Sequence, residues 1–372
     1  MCSFKKFLTK KFAVVAAAAM IGASGLLAGS GVAGAASVSQ DVPPTLTLVA
    51  TSSFQWSGVT VAPSGRIFVC FPTSENSPTF KIAEMVNGIT MPFPSDEMQG
   101  TFENVQSIYA DGENMLWVLD SAGARSKLCR VDIEMGTVLD TFTFGADVIL
   151  PDTYLNDVRI DNAGGTAYLT DSGHGGIIVL DLGSGASYRA LSDIPEVRST
   201  LSMGIYFPTT GLYTNVGQTD GLELSKDGKK LYFSAMGAED LYSIPTAVLK
   251  DQTMTMDKKQ SALELVTLDG VPSDGMTLRG DFLYMGDLAD EGVFEIDLEE
   301  TNKKEAGAIL NLKKDIRWAN SFATAPDGKV YFTTSASNYP IDQQQPYELY
   351  TLTWDDKNDP IKLRDIPVGN NS

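Results

Sequence analysis

From residue 57 onward, apolar and polar residues alternate in short runs that are broken by glycine-containing turns. One phrase recurs six times: "SGVTVAPSGRIFVCF", "QSIYADGENMLWVLD", "NDVRIDNAGGTAYLTD", "DGLELSKDGKKLYFSA", "DGMTLRGDFLYMGD" and "NSFATAPDGKVYFTT". Each opens on a polar residue, alternates, turns at glycine, and continues into a run rich in Tyr, Phe and Val. A third run follows most copies, as in "KLCRVDI", "GIIVLDL", "DLYSIP", "GVFEIDL" and "ELYTLTW". A period of two between glycine turns predicts short antiparallel strands joined by hairpins.

Six copies at a spacing of roughly fifty residues predict an all-β, six-bladed β-propeller with four-stranded antiparallel blades. A pair of stacked sandwiches would leave the six matching phrases unexplained. The ring must close with a strand from the other terminus, and "TLTLVAT" at residues 45–51 is suited to complete the last blade and hide its edge. Little helix is expected beyond one short piece in "SIPTAVLKD", with Pro245 in its first turn.

Aligning the copies on their first strands brings Ser57, Gln106, Asn156, Asp220, Asp274 and Asn320 to one equivalent position. The first strand of a propeller blade lines the central channel, so these six side chains would ring one mouth of it. Asn and Asp also make turns at strand starts, but six polar residues out of six favour a site. The "DG" and "GG" pairs at the other end of these strands are hairpin turns, and Arg279-Gly280-Asp281 falls on such a turn.

The N-terminus has a different character. "MCSFKKFLTKKFAVVAAAAMIGASGLLAGSGVAGAA" has a lysine-rich start, an apolar run and then Ala33-Gly34-Ala35, the order of a secretory signal peptide. The alternative, a retained membrane anchor, is weakened by the Gly and Ser that interrupt the apolar run. The expected organisation is a cleaved peptide over 1–35, an N-terminal segment with the closing strand over 36–53, one propeller domain over 54–368 and a tail over 369–372. The product would be secreted or periplasmic. The formal net charge is −19, and losing the four lysines of the peptide, with no acid, takes it to −23. That charge disfavours nucleic acid, and anionic membrane once the peptide is cleaved, and favours metal cations and amines. Cys70 and Cys129 sit in apolar strand runs, where a free thiol behaves as a small hydrophobe; a disulfide is the alternative in an exported protein. Oligomeric state is left open.

The segments "ENVQSIYADGENMLWVLDSAG", "NDVRIDNAGGTAYLTDSGHGGIIVLDLGSGASYRAL", "TDGLELSKDGKKLYF" and "ANSFATAPDGKVYFTTSASN" resemble the major royal jelly protein and insect yellow family, in order, from about residue 54 to 340. Arg-Ile-Asp followed by a strand and Thr-Asp-Ser-Gly is the most diagnostic part. The resemblance implies a bacterial exported member with a six-bladed propeller. It also implies a choice among dopachrome conversion, amine binding in the central channel and nutrition, and fold alone does not make that choice. His174, the chain's one histidine, stands where family members commonly carry a small residue. It is expected to be a solvated turn residue with no partner carboxylate.

A more distant similarity is to the gluconolactonase and senescence-marker-protein propellers. "NDVRID" resembles the segment carrying that family's substrate-side Asn, which implies Asn156. "TDGLELSKDG" and "SDGMTL" resemble its ligand segments, which implies Asp220 and Asp274 as metal ligands with Asn156, and Asp274 as the base. Blade one departs from that pattern, because "FQWSGV" holds no acid. Oxygen ligands of this kind suit Ca²⁺ or another hard divalent cation, which would polarise a lactone carbonyl; no organic cofactor is expected.

The leading reading, with lactone hydrolysis as its alternative, is a small-molecule site for an amine, sugar acid or lactone at the channel mouth, formed by Trp56, Ser57, Gln106, Asn156, Asp220 and Asn320. Trp56 would stack on the ligand, or else pack between blades. Tyr188, Tyr206, Phe207 and Tyr213 lie in the long 183–219 connection, which would serve as an aromatic lid or else be a plain insertion. A non-catalytic protein-interaction scaffold is the third class.

Overall fold

In a computed structural model, the described residues are 43–74, 77–267, 270–312 and 314–364. The expected signal peptide, the first residues of the N-terminal segment and the C-terminal tail lie outside them. The described residues belong to one compact unit. Among them no helix is long and apolar enough to cross a membrane.

Six four-stranded antiparallel sheets follow one another along the chain, each running from an inner strand to an outer edge. The inner strands are Gly58–Val61, Val105–Ala110, Leu155–Asp161, Thr219–Leu224, Met276–Arg279 and Ala319–Thr324. This is the six-bladed propeller that the repeat predicts. Blade six is completed by Thr45–Ser52, which pairs antiparallel with Tyr347–Thr353. The ring therefore closes through the strand expected to close it. The helix expected near Pro245 spans Thr246–Lys250, with Pro245 as its N-cap.

The fourth strands were not individually legible. Thr137–Thr143 of blade two, for example, alternates between exposed and half-buried positions and has no fully buried face. A strand on the outer rim touches one neighbour only, so its sequence carries less apolar signal.

Burial follows the ring. Six apolar clusters each span a pair of adjacent blades, such as Phe68, Ile82 and Phe93 of blade one against Val105, Leu116 and Val118 of blade two. Blades pack face to face, so a blade's two faces are both core, and its strands read as nearly continuous apolar runs. Cys70 and Cys129 are free and buried, in the first of these clusters. A seventh cluster lies elsewhere: Ile205, Phe207, Leu288 and Trp318, with Tyr213 and Met236 against it. It packs beneath the connection between blades three and four, in which Ile205–Phe207 and Gly211–Tyr213 form a small hairpin.

Glycine sets how closely the inner strands approach. A Cβ on Gly275 would sit 2.4 Å from the Asn320 carbonyl oxygen, and one on Gly221 would sit 2.3 Å from that of Asp274. The glycines that follow Asp220 and Asp274 therefore admit the next blade's backbone. Gly275 N–H uses that approach to donate to Asn320 O at 2.7 Å.

Candidate functional site at the channel mouth

The inner strands are irregular where the site forms. In blades two, three, four and six the pairing of inner strand and neighbour shifts register at residues 106, 156–157, 220–221 and 320–321. Such a bulge leaves a residue unpaired and re-aims its side chain. Two bulges are held open in the same way: Thr170 Oγ1 accepts from Asp157 N–H and Thr333 Oγ1 accepts from Ser321 N–H, while Thr170 Oγ1 also donates to Asp220 O across to blade four. The ladder lost to the bulge is thus replaced by threonine hydroxyls.

Ser57, Gln106, Asn156, Asp220, Asp274 and Asn320 all line one cavity of about 640 Å³. Asn156 donates through Nδ2 to Asp220 Oδ2 at 2.7 Å and to Ser172 Oγ at 2.9 Å. Gln106 Nε2 donates to Asn156 Oδ1 at 3.4 Å, and Gln106 Oε1 accepts from the Tyr154 hydroxyl at 2.7 Å. Ser57 Oγ donates to Gln106 O at 2.7 Å, and Asn320 Nδ2 donates to Ser57 O at 3.2 Å. The amides and the serine therefore bind one another around the ring.

The two acids stand apart from this. Asp220 and Asp274 are buried, at 1% and 8% exposure. Asp220 accepts from the Asn156 amide, and Asp274 Oδ2 accepts from the Trp318 indole, whose Nε1 lies 2.6 Å away. Neither is in an ion pair with Lys or Arg among the described residues. Burial pushes the Asp220 carboxyl well above its usual range, and the charge of Asp274 and a hydrogen bond to it push the same way. Burial also raises Asp274, to about 6, while the Trp318 and Asp220 hydrogen bonds hold it down. Two buried acids hydrogen-bonded to each other hold a proton between them.

Further along the inner strands lies an ion-paired cluster that sequence reasoning missed, lining a second cavity of about 270 Å³. Arg159 donates through Nη1 to both Asp157 oxygens at 3.0 Å and through Nη2 to Met276 O at 2.9 Å. Its Nε lies 3.3 Å from Glu223 Oε2, without the alignment of a hydrogen bond. Burial opposes the guanidinium's charge, but Asp157 and Glu223 outweigh it. Burial raises Glu223, against the pull of Arg159. The signal for this cluster was "DVRID", in which Asp157 and Arg159 alternate onto the same face.

Three expectations change. Trp56 is fully buried between blades one and six, 6.3 Å from the Phe71 ring, and lies outside the cavity lining. It contributes its backbone carbonyl, to Asn320 Nδ2. Its apolar ring gains more from the blade interface than from water. His174 is not without carboxylates: its ring nitrogens lie 2.9 Å from Asp152 Oδ1 and 3.2 Å from Asp193 Oδ1. Those two acids come from separate loops, which one sequence segment could not reveal. Tyr188 belongs to the outer strand of blade three and donates to Leu249 O, away from the mouth.

Of the other lid aromatics, Tyr213 lines the cavity, Phe207 is buried beside it, and Tyr206 points to solvent at 66% exposure. Trp318, Tyr154, Ser172 and Gln218 also line the cavity and were not anticipated. Within the diagnostic Thr-Asp-Ser-Gly segment, Ser172 faces the cavity while Asp171 is structural. Asp171 accepts from Tyr154, Gly173 and His174 N–H groups and pairs with Arg189 at 2.9 Å, pinning the inner strand's start.

Solved structures with the same architecture include a gluconolactonase from Xanthomonas campestris (12% identity, TM-score 0.55, 84% of this chain and 94% of that one). A luciferin-regenerating enzyme matches at 11% identity and TM-score 0.53, over 84% and 95% of the two chains. A calcium-binding regucalcin from Agrobacterium tumefaciens matches at 14% and 0.51, over 83% and 90%. At such identities the likeness is one of fold. No curated protein sequence matches the chain. The sequence model of the major royal jelly protein family matches residues 104–332, which carry five of the six ring positions, and the chain belongs to that family.

Proposed function

We propose that this protein is exported and binds a small organic cation, an amine with an aromatic or hydroxylated body, at the mouth of its channel. The observation that carries this reading is the Asp220–Asp274 pair: two buried carboxylates, facing a cavity of about 640 Å³, with no lysine or arginine among the described residues that line it. A pair holding one proton presents roughly one negative charge, which matches a single ammonium group. Tyr154, Tyr213 and Trp318 supply aromatic faces that favour a cation and an apolar ring. The amides and hydroxyls of Gln106, Asn156 and Ser57 would orient hydroxyl groups.

A second reading is a divalent cation and lactone opening. Asn156, Asp220 and Asp274 fit a hard cation in kind, as all-oxygen donors. Asn156 now turns its N–H₂ toward Asp220, so its amide would rotate to offer the carbonyl. These three residues would hold the ion, which would polarise a substrate carbonyl. Asp274, freed of the shared proton, would take a proton from the attacking water.

Titration calorimetry with benzylamine and with benzyl alcohol tests the first reading. Benzylamine should bind and benzyl alcohol should not, and Asp274→Ala should weaken the amine about tenfold or more, as loss of a buried charge partner does. Equal binding of amine and alcohol would sink it. Calcium-dependent hydrolysis of gluconolactone, lost in Asp274→Ala and in chelator, would establish the second instead.

A further inference from the structure

The connection between blades three and four leaves the outer strand Ser187–Ser192 and returns at Thr219. Between them its hairpin reaches across the mouth to the far side of the ring. Phe207 stacks on Trp318 with ring centres 5.4 Å apart, and Tyr213 meets the same indole edge-on at 4.9 Å. The hairpin tip is held by polar contacts to blades five and six. Thr209 Oγ1 donates to Glu291, Asn338 Nδ2 donates to Thr210 Oγ1 at 2.9 Å, and the Tyr339 hydroxyl donates to Thr209 Oγ1 at 3.0 Å. The strap is thus docked on a residue that also donates to Asp274.

Trp318 itself is held in an unusual backbone conformation. Its φ is +63°, a region that a bulky side chain seldom adopts without being forced by its surroundings. Three constraints meet there: Ser335 N–H donates to Trp318 O at 3.1 Å, the indole N–H donates to Asp274, and two strap rings clamp the indole face and edge. A buried core indole also finds an acceptor, as Trp117 does at Asp111 Oδ2 at 2.8 Å, but Trp318 combines a strained backbone with an acceptor that belongs to the acid pair.

We infer that Trp318 is a positioning residue that couples seating of the strap to the geometry of the Asp220–Asp274 pair, so that the strap gates the channel mouth. With the strap seated, Phe207 and Tyr213 fix the indole, the indole fixes Asp274 Oδ2, and Tyr213 completes the cavity wall. With the strap lifted, the mouth opens and Asp274 loses its donor. A ligand that engages the acid pair and Tyr213 therefore favours the seated strap. This last step rests on the amine-binding reading, whereas the coupling of strap to Asp274 does not.

Chymotrypsin cleavage at the strap's exposed Tyr206, under conditions where the rate follows the population of lifted strap, reads the coupling without any ligand. Trp318→Phe keeps an aromatic ring but removes the donor, and Asp274→Leu removes the acceptor. Each should raise cleavage about tenfold, the scale of one hydrogen bond to a charged group, and the double variant should be no faster than either single one. Asp274→Asn, which keeps an acceptor, should cleave like wild type and also guards against misfolding as an explanation. Multiplied effects in the double variant, or wild-type cleavage in Asp274→Leu, would overturn the coupling. Benzylamine should slow cleavage of wild type and leave Trp318→Phe unchanged. Failure of benzylamine to bind wild type at all would count against the amine reading alone, because the ligand-free cycle stands separately.

Discussion

Replacing Asp274 by Asn leaves the shape of the acid pair intact while removing one of its two titrations. The Asn carbonyl can still accept from the Trp318 indole, and its N–H₂ can donate to Asp220. Burial holds the Asp274 carboxyl near 6, against an ordinary value of 3.8. The folded protein therefore binds a proton over a pH range where the unfolded chain has released it. A folded value above the unfolded one adds stability that is fully present below pH 4 and is lost as pH rises through 6. A displacement of about two units corresponds to about 3 kcal/mol. Above pH 7 the native state carries this penalty, and Asn does not. In urea unfolding with chelator present, Asp274→Asn should exceed wild type by about 3 kcal/mol at pH 8, with the gain shrinking to near zero by pH 4. Working with the difference between variant and wild type cancels the general repulsion of an acidic surface, which also varies with pH. A variant destabilised equally at both pH values would refute the reasoning, because it would mean that the carboxylate is satisfied as an anion.

Three further outcomes follow from the packing. Arg159→Met should cost about 3–5 kcal/mol in urea unfolding, because it leaves Asp157 and Glu223 buried without a cation, and adding Glu223→Gln should recover part of the loss. Gly275→Ala should destabilise by more than about 2 kcal/mol in thermal or urea unfolding, since its Cβ would press on the Asn320 carbonyl at 2.4 Å. His174→Ala should change stability by less than about 1 kcal/mol and leave benzylamine affinity unchanged, because its partners Asp152 and Asp193 are mostly exposed and the ring lies outside the cavity.

The ring of six polar residues was legible because the propeller writes it six times. Asn156 alone is indistinguishable from a turn residue, but the register repeats, and the repeat turns a local ambiguity into a position. The closing strand Thr45–Ser52 was legible for a related reason: a blade lacking its outer strand demands one. What could not be read was anything that crosses the repeat. Asp152 and Asp193 reach His174 from separate loops, Arg159 reaches Met276 two blades away, and the Trp318 indole meets Asp274 from the next blade. Each of these contacts joins residues with no shared period, so pattern reasoning has nothing to align.

The division has a functional counterpart. Repetition fixes where the site must be, since the inner strands can converge only on the channel, and it supplies amides and hydroxyls that largely satisfy one another. It does not set what the site prefers. In the proposed reading the parts that break the repeat do that: two carboxylates where other blades carry neutral groups, an indole in a strained conformation, and a strap between blades three and four. Exchanging Asp220, Asp274 or Trp318 would change the charge of the cavity or free its cover. Propellers of the same architecture can therefore differ in ligand while keeping the ring, and sequence comparison of such proteins is best weighted toward those three positions and the strap.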